Sequence, residues 1–282
     1  MKTYGKLFYC RFLYLFLLIL PHFFYAQARL VLNNNGYINI ENSAYLVVDN
    51  NNANAITTLG TGGNILSEDE ADVIKWNIGA TTGIYTIPWT TLSGVKIPFV
   101  TDITIVGSAG GEIIFSTYEA ATDMNTPWPS AVTNMNLPSG LDGSLFVMDR
   151  FWHVDARSYA TFPAGRMDFG YDPSANEMLG TNTITETNLL AQRFNTGLAH
   201  WETYILLGIN DAPNDKVISV PFSAAEFYQD WILVDNSNPL PVTITNFEAT
   251  CTNDETKINW TTETEINNDY FVIEKSYDGI TF

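Results

Sequence analysis

The segment from Ser144 to Ala156, SLFVMDRFWHVDA, constrains the fold of this chain more than any other. With the period of two that a strand imposes, Phe146, Met148, Arg150, Trp152 and Val154 share one face. Leu145, Val147, Asp149, Phe151, His153 and Asp155 share the other. Both faces are largely apolar over the first half. A strand of that kind needs protein on both sides, so it is expected inside a sheet and not at its edge.

The flanking sequence has the same texture. Short runs of aromatic and β-branched residues occupy 73–78, 83–88, 102–106, 112–118, 160–171, 188–195, 217–220 and 226–235, with Gly, Asn and Pro between them. Asn195-Thr196-Gly197 turns the chain, so a hairpin is expected with Phe194 and Trp201 near its tip. Gly107 to Gly111 reads as a hairpin-type connection. Residues 120–143, with Pro127, Pro129 and Pro138, read as a long loop. Residues 30–49 hold three short runs, read as rungs of a small β-meander or β-roll that begins a larger domain. Lys, Glu and Ala are too sparse for long helices. The expected class is all-β, a β-sandwich ectodomain with short N-terminal β-rungs.

The amino terminus sets an expected compartment. Lys2, Lys6 and Arg11 precede the apolar run from Phe12 to Leu20, and Ala26-Gln27-Ala28 has the small–x–small pattern of a signal-peptidase site. This is the layout of a secretory signal peptide, cleaved after Ala28 or, as second choice, after Ala26. The run is shorter than the about 20 apolar residues that span a bilayer. Cleavage removes three of the thirteen basic residues and no acid, leaving a charge of −21. That excess disfavours nucleic acid and anionic lipid as partners. Cys10 leaves with the leader. Cys251, in an alternating stretch, is expected to be buried or paired further along the chain.

The expected domains are a signal peptide at 1–28, a β-sandwich ectodomain at 29–235, a proline-stiffened linker at 236–241 and a partial second sandwich at 242–282. In the last, strands are expected at 243–251, 256–262 (with Trp260 as core anchor) and 269–276. A sandwich of this kind uses about seven strands, so the chain is expected to belong to a longer polypeptide. A few strands without a facing layer are marginal, and the tail is expected to be poorly packed.

The tail blocks Leu240-Pro241-Val242, Phe247-Glu248-Ala249, Asn259-Trp260-Thr261-Thr262, Glu265 to Phe271, Ile273 to Ser276 and Asp278-Gly279 resemble the fibronectin type III-like segment of secreted Bacteroidota proteins. In those proteins it stands ahead of a type IX secretion sorting domain. Gln192 to Asn195 with Trp201, and Phe227 to Asp235, more loosely resemble the ectodomains of the same cargo proteins. The resemblance implies an exported cell-surface or extracellular protein, the secretion machinery as a partner, and an adhesive or structural role. The absent sorting domain departs from that pattern.

Chemistry-bearing residues are few. His153 and Asp155 would project from one strand face about 6–7 Å apart, a pair able to orient an imidazole for base catalysis. Asp149, on the same face, is too distant to share a metal with His153. Hydrolase elbows, zinc-protease and nucleotide-loop motifs do not occur. Asp49 to Asn54, Asp172 to Glu177 and Asn210 to Asp215 have the oxygen chemistry for calcium without the EF-hand spacing, and are read first as turns. The cluster Glu68-Asp69-Glu70 with Asp72 is read as a solvated loop. Trp76, Trp152, Trp201, Trp231 and Trp260 are read as core. Trp89 and Trp128, each beside a proline, are the candidate exposed platforms for glycan binding. The expected function is a non-catalytic ectodomain, with a glycan-binding module and a secreted hydrolase as alternatives.

Overall fold

The structure is a computed structural model. It describes residues 28–262 except 62–63, 109, 121–124, 137–141, 175–176, 203–207, 228, 237–243 and 252–255. The leader, most of the linker and the strand expected at 269–276 lie outside the described residues.

The chain folds as an all-β sandwich. Its first six strands are β1 (Leu30–Asn33), β2 (Tyr37–Asn39), β3 (Tyr45–Val48), β4 (Ile56–Leu59), β5 (Asn64–Leu66) and β6 (Val73–Trp76). They pair in parallel: Leu30 with Ile56, Tyr37 with Asn64, Tyr45 with Val73. The three runs read as successive rungs are therefore three sides of one coil. A second coil, β4 to β6, lies on it after a repeat of about 27 residues. The second coil is less legible because β4 and β5 are only four and three residues long.

The body follows with β7 (Gly83–Ile87), β8 (Phe99–Ile105), β9 (Glu112–Glu119), β10 (Arg150–Arg157), β11 (Ala164–Gly170), β12 (Leu189–Asn195), β13 (His200–Trp201), β14 (Ile209–Asp211), β15 (Lys216–Phe222) and β16 (Asp230–Asp235). One sheet runs β13-β12-β16-β10-β9-β6-β3, the other β14-β15-β11-β8-β7. Phe194 pairs with Trp201 across the expected hairpin. Among the described residues, no helix is long and apolar enough to cross a membrane.

β10 is an inner strand, between β9 and β16, but it begins at Arg150: Ser144–Phe146 forms a 3-10 turn and Val147 makes a single bridge to Val234, so the first half of the expected strand 144–156 is not strand. Trp152 and Val154 belong to the core between the sheets, where Trp152 meets Phe169 of β11 edge-on at 5.5 Å. Phe151 points the other way, into a second cluster with Tyr118, Val132, Met135, Phe194, Trp201 and Ile232. The loop after β9 supplies Val132 and Met135, and so covers the outer face of the larger sheet.

The glycine-rich run 107–111 does not close a hairpin. β8 and β9 lie in different sheets, and this segment carries the chain between them. Two of its glycines serve close approach: a Cβ on Gly107 would meet the Tyr159 ring at 2.5 Å, and one on Gly111 at 2.4 Å. Tyr159 Oη in turn donates to Gly79 O at 3.2 Å.

β17 (Ile244–Cys251) and β18 (Thr256–Thr262) form a separate antiparallel hairpin, with Phe247 opposite Trp260. Both strands fall where the alternation places them. Phe247 is exposed and Trp260 only half-buried, in keeping with the marginal packing expected of isolated strands. Cys251 is exposed among the described residues, against the first of its two expected states, and a pairing further along the chain falls on residues outside those described.

Gly111→Ala should lower stability by about 1–3 kcal/mol, the usual cost of overpacking. Chemical denaturation in a double-mutant cycle checks it: in a Tyr159→Ala background the same substitution should cost clearly less.

Candidate functional site

β10 carries three ionisable side chains into buried surroundings, Arg150 on one face and His153 and Asp155 on the other. Arg150 points to the inner side and is fully buried. Its Nε and Nη2 donate to the two carboxylate oxygens of Glu177 at 2.8 and 2.7 Å, a forked pair. Nη2 also reaches Glu68 at 3.2 Å and Nη1 reaches Thr117 Oγ1 at 3.2 Å. Glu68 accepts in addition from the Glu119 backbone N–H at 2.7 Å. Burial pushes the Glu68 carboxyl above its ordinary value, against the pull of Arg150. For Arg150 burial works the other way, and its carboxylate partners outweigh it to hold the guanidinium charged.

Asp149, next in the chain, ties the surrounding loops. Its carboxylate accepts from Asn125 and Asn182 Nδ2, each at 2.8 Å, while its own N–H donates to Glu177 O at 2.8 Å.

His153 points to the opposite face. It stands between Asp230 of β16 and Ser116 of β9 in the strand register. Its Nδ1 lies 2.8 Å from Asp230 Oδ1 and 3.9 Å from Glu70 Oε1. The expected partner, Asp155, is engaged elsewhere, accepting from Gln229 Nε2 at 2.9 Å and from Arg157 Nε. The reason is geometric. Residues two apart on a strand are separated by about 6–7 Å, whereas directly opposed residues on neighbouring strands bring their Cβ atoms to about 5 Å.

Glu70 is held in place from three sides. Ser116 Oγ donates to its backbone carbonyl at 2.8 Å, and Ser130 donates to its carboxylate through both N–H and Oγ, each at 2.7 Å. His153 is 8% exposed and the Glu70 side chain 25%. Asp230 is buried, and its Oδ2 has no hydrogen-bond partner among the described residues. Burial raises the Asp230 carboxyl against the opposing effect of His153. Burial also disfavours the imidazolium, but Asp230, Glu70 and Asp155 outweigh it and raise His153. The pair as a unit holds on to one proton. Burial likewise raises the nearby Tyr118 phenol, whose Oη donates to Pro127 O at 3.0 Å.

Sequence reasoning singled out His153 but missed both partners. Asp230 is the opposite residue on another strand, which only pairing reveals. Glu70 lies in the acidic loop read as solvated. Glu68, from the same loop, pairs with buried Arg150, and Asp72 is buried and accepts from the Ser43 N–H at 2.8 Å, so half of that cluster is structural.

The two tryptophan platforms separate. Trp89 is 1% exposed, because it bridges to Ile65 on the second coil and its carbonyl accepts from Ile97. It has no free ring face. Trp128 is 37% exposed. Trp76, Trp152, Trp201 and Trp231 are core, as expected. In the Asp- and Asn-rich loops the side-chain oxygens accept from backbone two residues on: Asn50 from Asn52, Asn52 from Asn54, Asp172 from Ser174, Asn210 from Ala212. These are Asx turns, the structural role first expected of them.

No protein family, curated protein or solved structure matches this chain.

Arg150→Met should destabilise the fold by about 3–5 kcal/mol, since it strands the buried Glu177 carboxylate. Urea denaturation should show much of that loss recovered in Arg150→Met/Glu177→Leu, where the fully buried Glu177 carboxylate leaves with its partner and only the part-exposed Glu68 loses a cation.

Proposed function

We propose that this chain is an exported cell-surface or extracellular protein whose β-sandwich acts by structural or adhesive contact and not by catalysis, delivered through type IX secretion. The observation that carries the non-catalytic reading is how its reactive side chains are used. Arg150 is consumed in joining two loops to the sheet, and His153 is wedged between Asp230 and Glu70 with little exposure. Supporting export, the first strand among the described residues starts at Leu30, two residues beyond the expected cleavage point. Supporting type IX delivery are the tail's residue blocks, of which β17 and β18 form the hairpin the resemblance implies. A hydrolase reading would rest on His153 oriented by Asp230, and needs a nucleophile or water presented to an imidazole that is nearly enclosed.

Inserting an epitope in the exposed turn at Ser93-Gly94, at the gene's own chromosomal locus, tests the proposal. The tagged protein should label on intact cells or appear in the medium, with Arg29 as its first residue. Retention inside the cell with residues 1–28 attached would overturn export. Loss of surface labelling in a strain without a working type IX channel is expected, and unchanged labelling there would remove that route.

A glycan-binding reading has one observation in its favour. A groove of about 420 Å³ lies between the second coil and the smaller sheet, lined by Ile56, Thr57, Ile84, Thr86, Lys96 and the edge of Trp89. Its mixed apolar and hydroxyl lining suits a sugar ring. Polysaccharide binding that Ile84→Asp abolishes would support this reading. The absence of any binding, or binding indifferent to that substitution, would dismiss it.

A further inference from the structure

Glu70, His153 and Asp230 each direct one ligand-type atom into a common space, all within 4.8 Å of one another. We propose that these three side chains form a site for one divalent transition-metal ion of the zinc class.

The separations suit such an ion. Ligands about 2.0–2.1 Å from a tetrahedral zinc lie about 3.3 Å from each other. His153 Nδ1 stands 2.8 Å from Asp230 Oδ1 and 3.9 Å from Glu70 Oε1, which bracket that value. Centring an ion would ask the side chains to shift by about half an ångström or more, the three atoms already lying within 4.8 Å of one another.

An independent observation points to a cation in this space. Asp230 is buried, yet its Oδ2 accepts no hydrogen bond among the described residues. A buried carboxylate oxygen without a donor is costly. The His153 contact answers only Oδ1. A cation at the centre of the three residues would answer the carboxylate as a whole, and Nδ1 would turn its lone pair to the ion.

The surrounding shell has the form that metal ligands need. Ser130 fixes both carboxylate oxygens of Glu70, and Ser116 fixes its backbone. Partners of that kind orient ligands. Asp155 adds negative charge nearby. The partly exposed Glu70 gives an ion its way in. The donor set selects among ions: one imidazole with two carboxylates favours zinc-class metals over calcium or magnesium, which take oxygen alone. Bound there, the ion would join β10, β16 and the loop after β5, and through Ser130 the loop after β9.

The test uses the mature chain carrying Cys251→Ser and His200→Ala, which removes the exposed thiol and the exposed imidazole as competing ligands. Titration with Zn²⁺ alone should show one ion per chain, with a raised Tm that Ca²⁺ does not reproduce. Co²⁺ should give visible d–d absorption. Glu70→Gln keeps the size of a partly exposed side chain and leaves the core untouched. It should weaken Zn²⁺ binding at least about tenfold, the lower end of what even outer-shell changes cost, and alter the Co²⁺ spectrum. His153→Gln should weaken binding at least as much. The absence of saturable binding at one equivalent would overturn the proposal. So would Zn²⁺ affinity and a Co²⁺ spectrum unchanged by Glu70→Gln, whether or not His153→Gln folds.

Discussion

Desolvation along β10 governs the rest of this structure. The strand sits inside a seven-stranded sheet with the smaller sheet on one side and the loop after β9 on the other. Apolar residues such as Trp152 and Phe151 gain from that enclosure. Arg150 and His153 lose water on the same strand, and a charge or polar group taken from water needs partners of fixed geometry. Those partners come from far along the chain: Glu68, Glu70, Glu177 and Asp230. The need to satisfy one strand therefore fixes where the loops after β5 and β11 run.

The two faces meet that need to different degrees. Around Arg150 the guanidinium fork is matched by Glu177, by Glu68 and by Thr117. Replacing such a network with apolar residues of similar volume often costs little, so its value lies as much in fixing the loops as in stability. Around His153 the account is incomplete: two carboxylates share one imidazole, and a buried oxygen of Asp230 has no donor among the described residues. The same physical demand thus gives a closed structural clamp on one side and, on the other, a cluster of one imidazole and two carboxylates.

Much of the fold was legible because alternation and turn residues are local signals. β10 was placed inside a sheet from its two apolar faces, β18 was read with its observed bounds, and the Phe194–Trp201 pairing followed from Asn195-Thr196-Gly197. The failures share a cause. Three runs in 30–49 gave the strands but not the parallel coil, because stacking depends on β4 and β5 further on. The glycines at 107–111 signal tight backbone, but close approach to Tyr159 uses glycine as readily as a hairpin does. Trp89 looked exposed beside Pro88, yet its backbone joins the second coil and seals the ring. The acidic loop looked solvated because charge alone does not reveal that Arg150 waits beneath it.

The sequence by itself determined an all-β chain, an inner strand at β10 and a histidine on the face opposite Arg150 and Trp152, since each follows from periodicity within a few residues. Tertiary structure alone decided which carboxylates meet that histidine. Asp230 is 77 positions from His153 and arrives by strand pairing, and Glu70 arrives through Ser116 and Ser130. Side-chain chemistry is written locally, but a site is a set of distances, and distances between remote residues are fixed only when the sheets close.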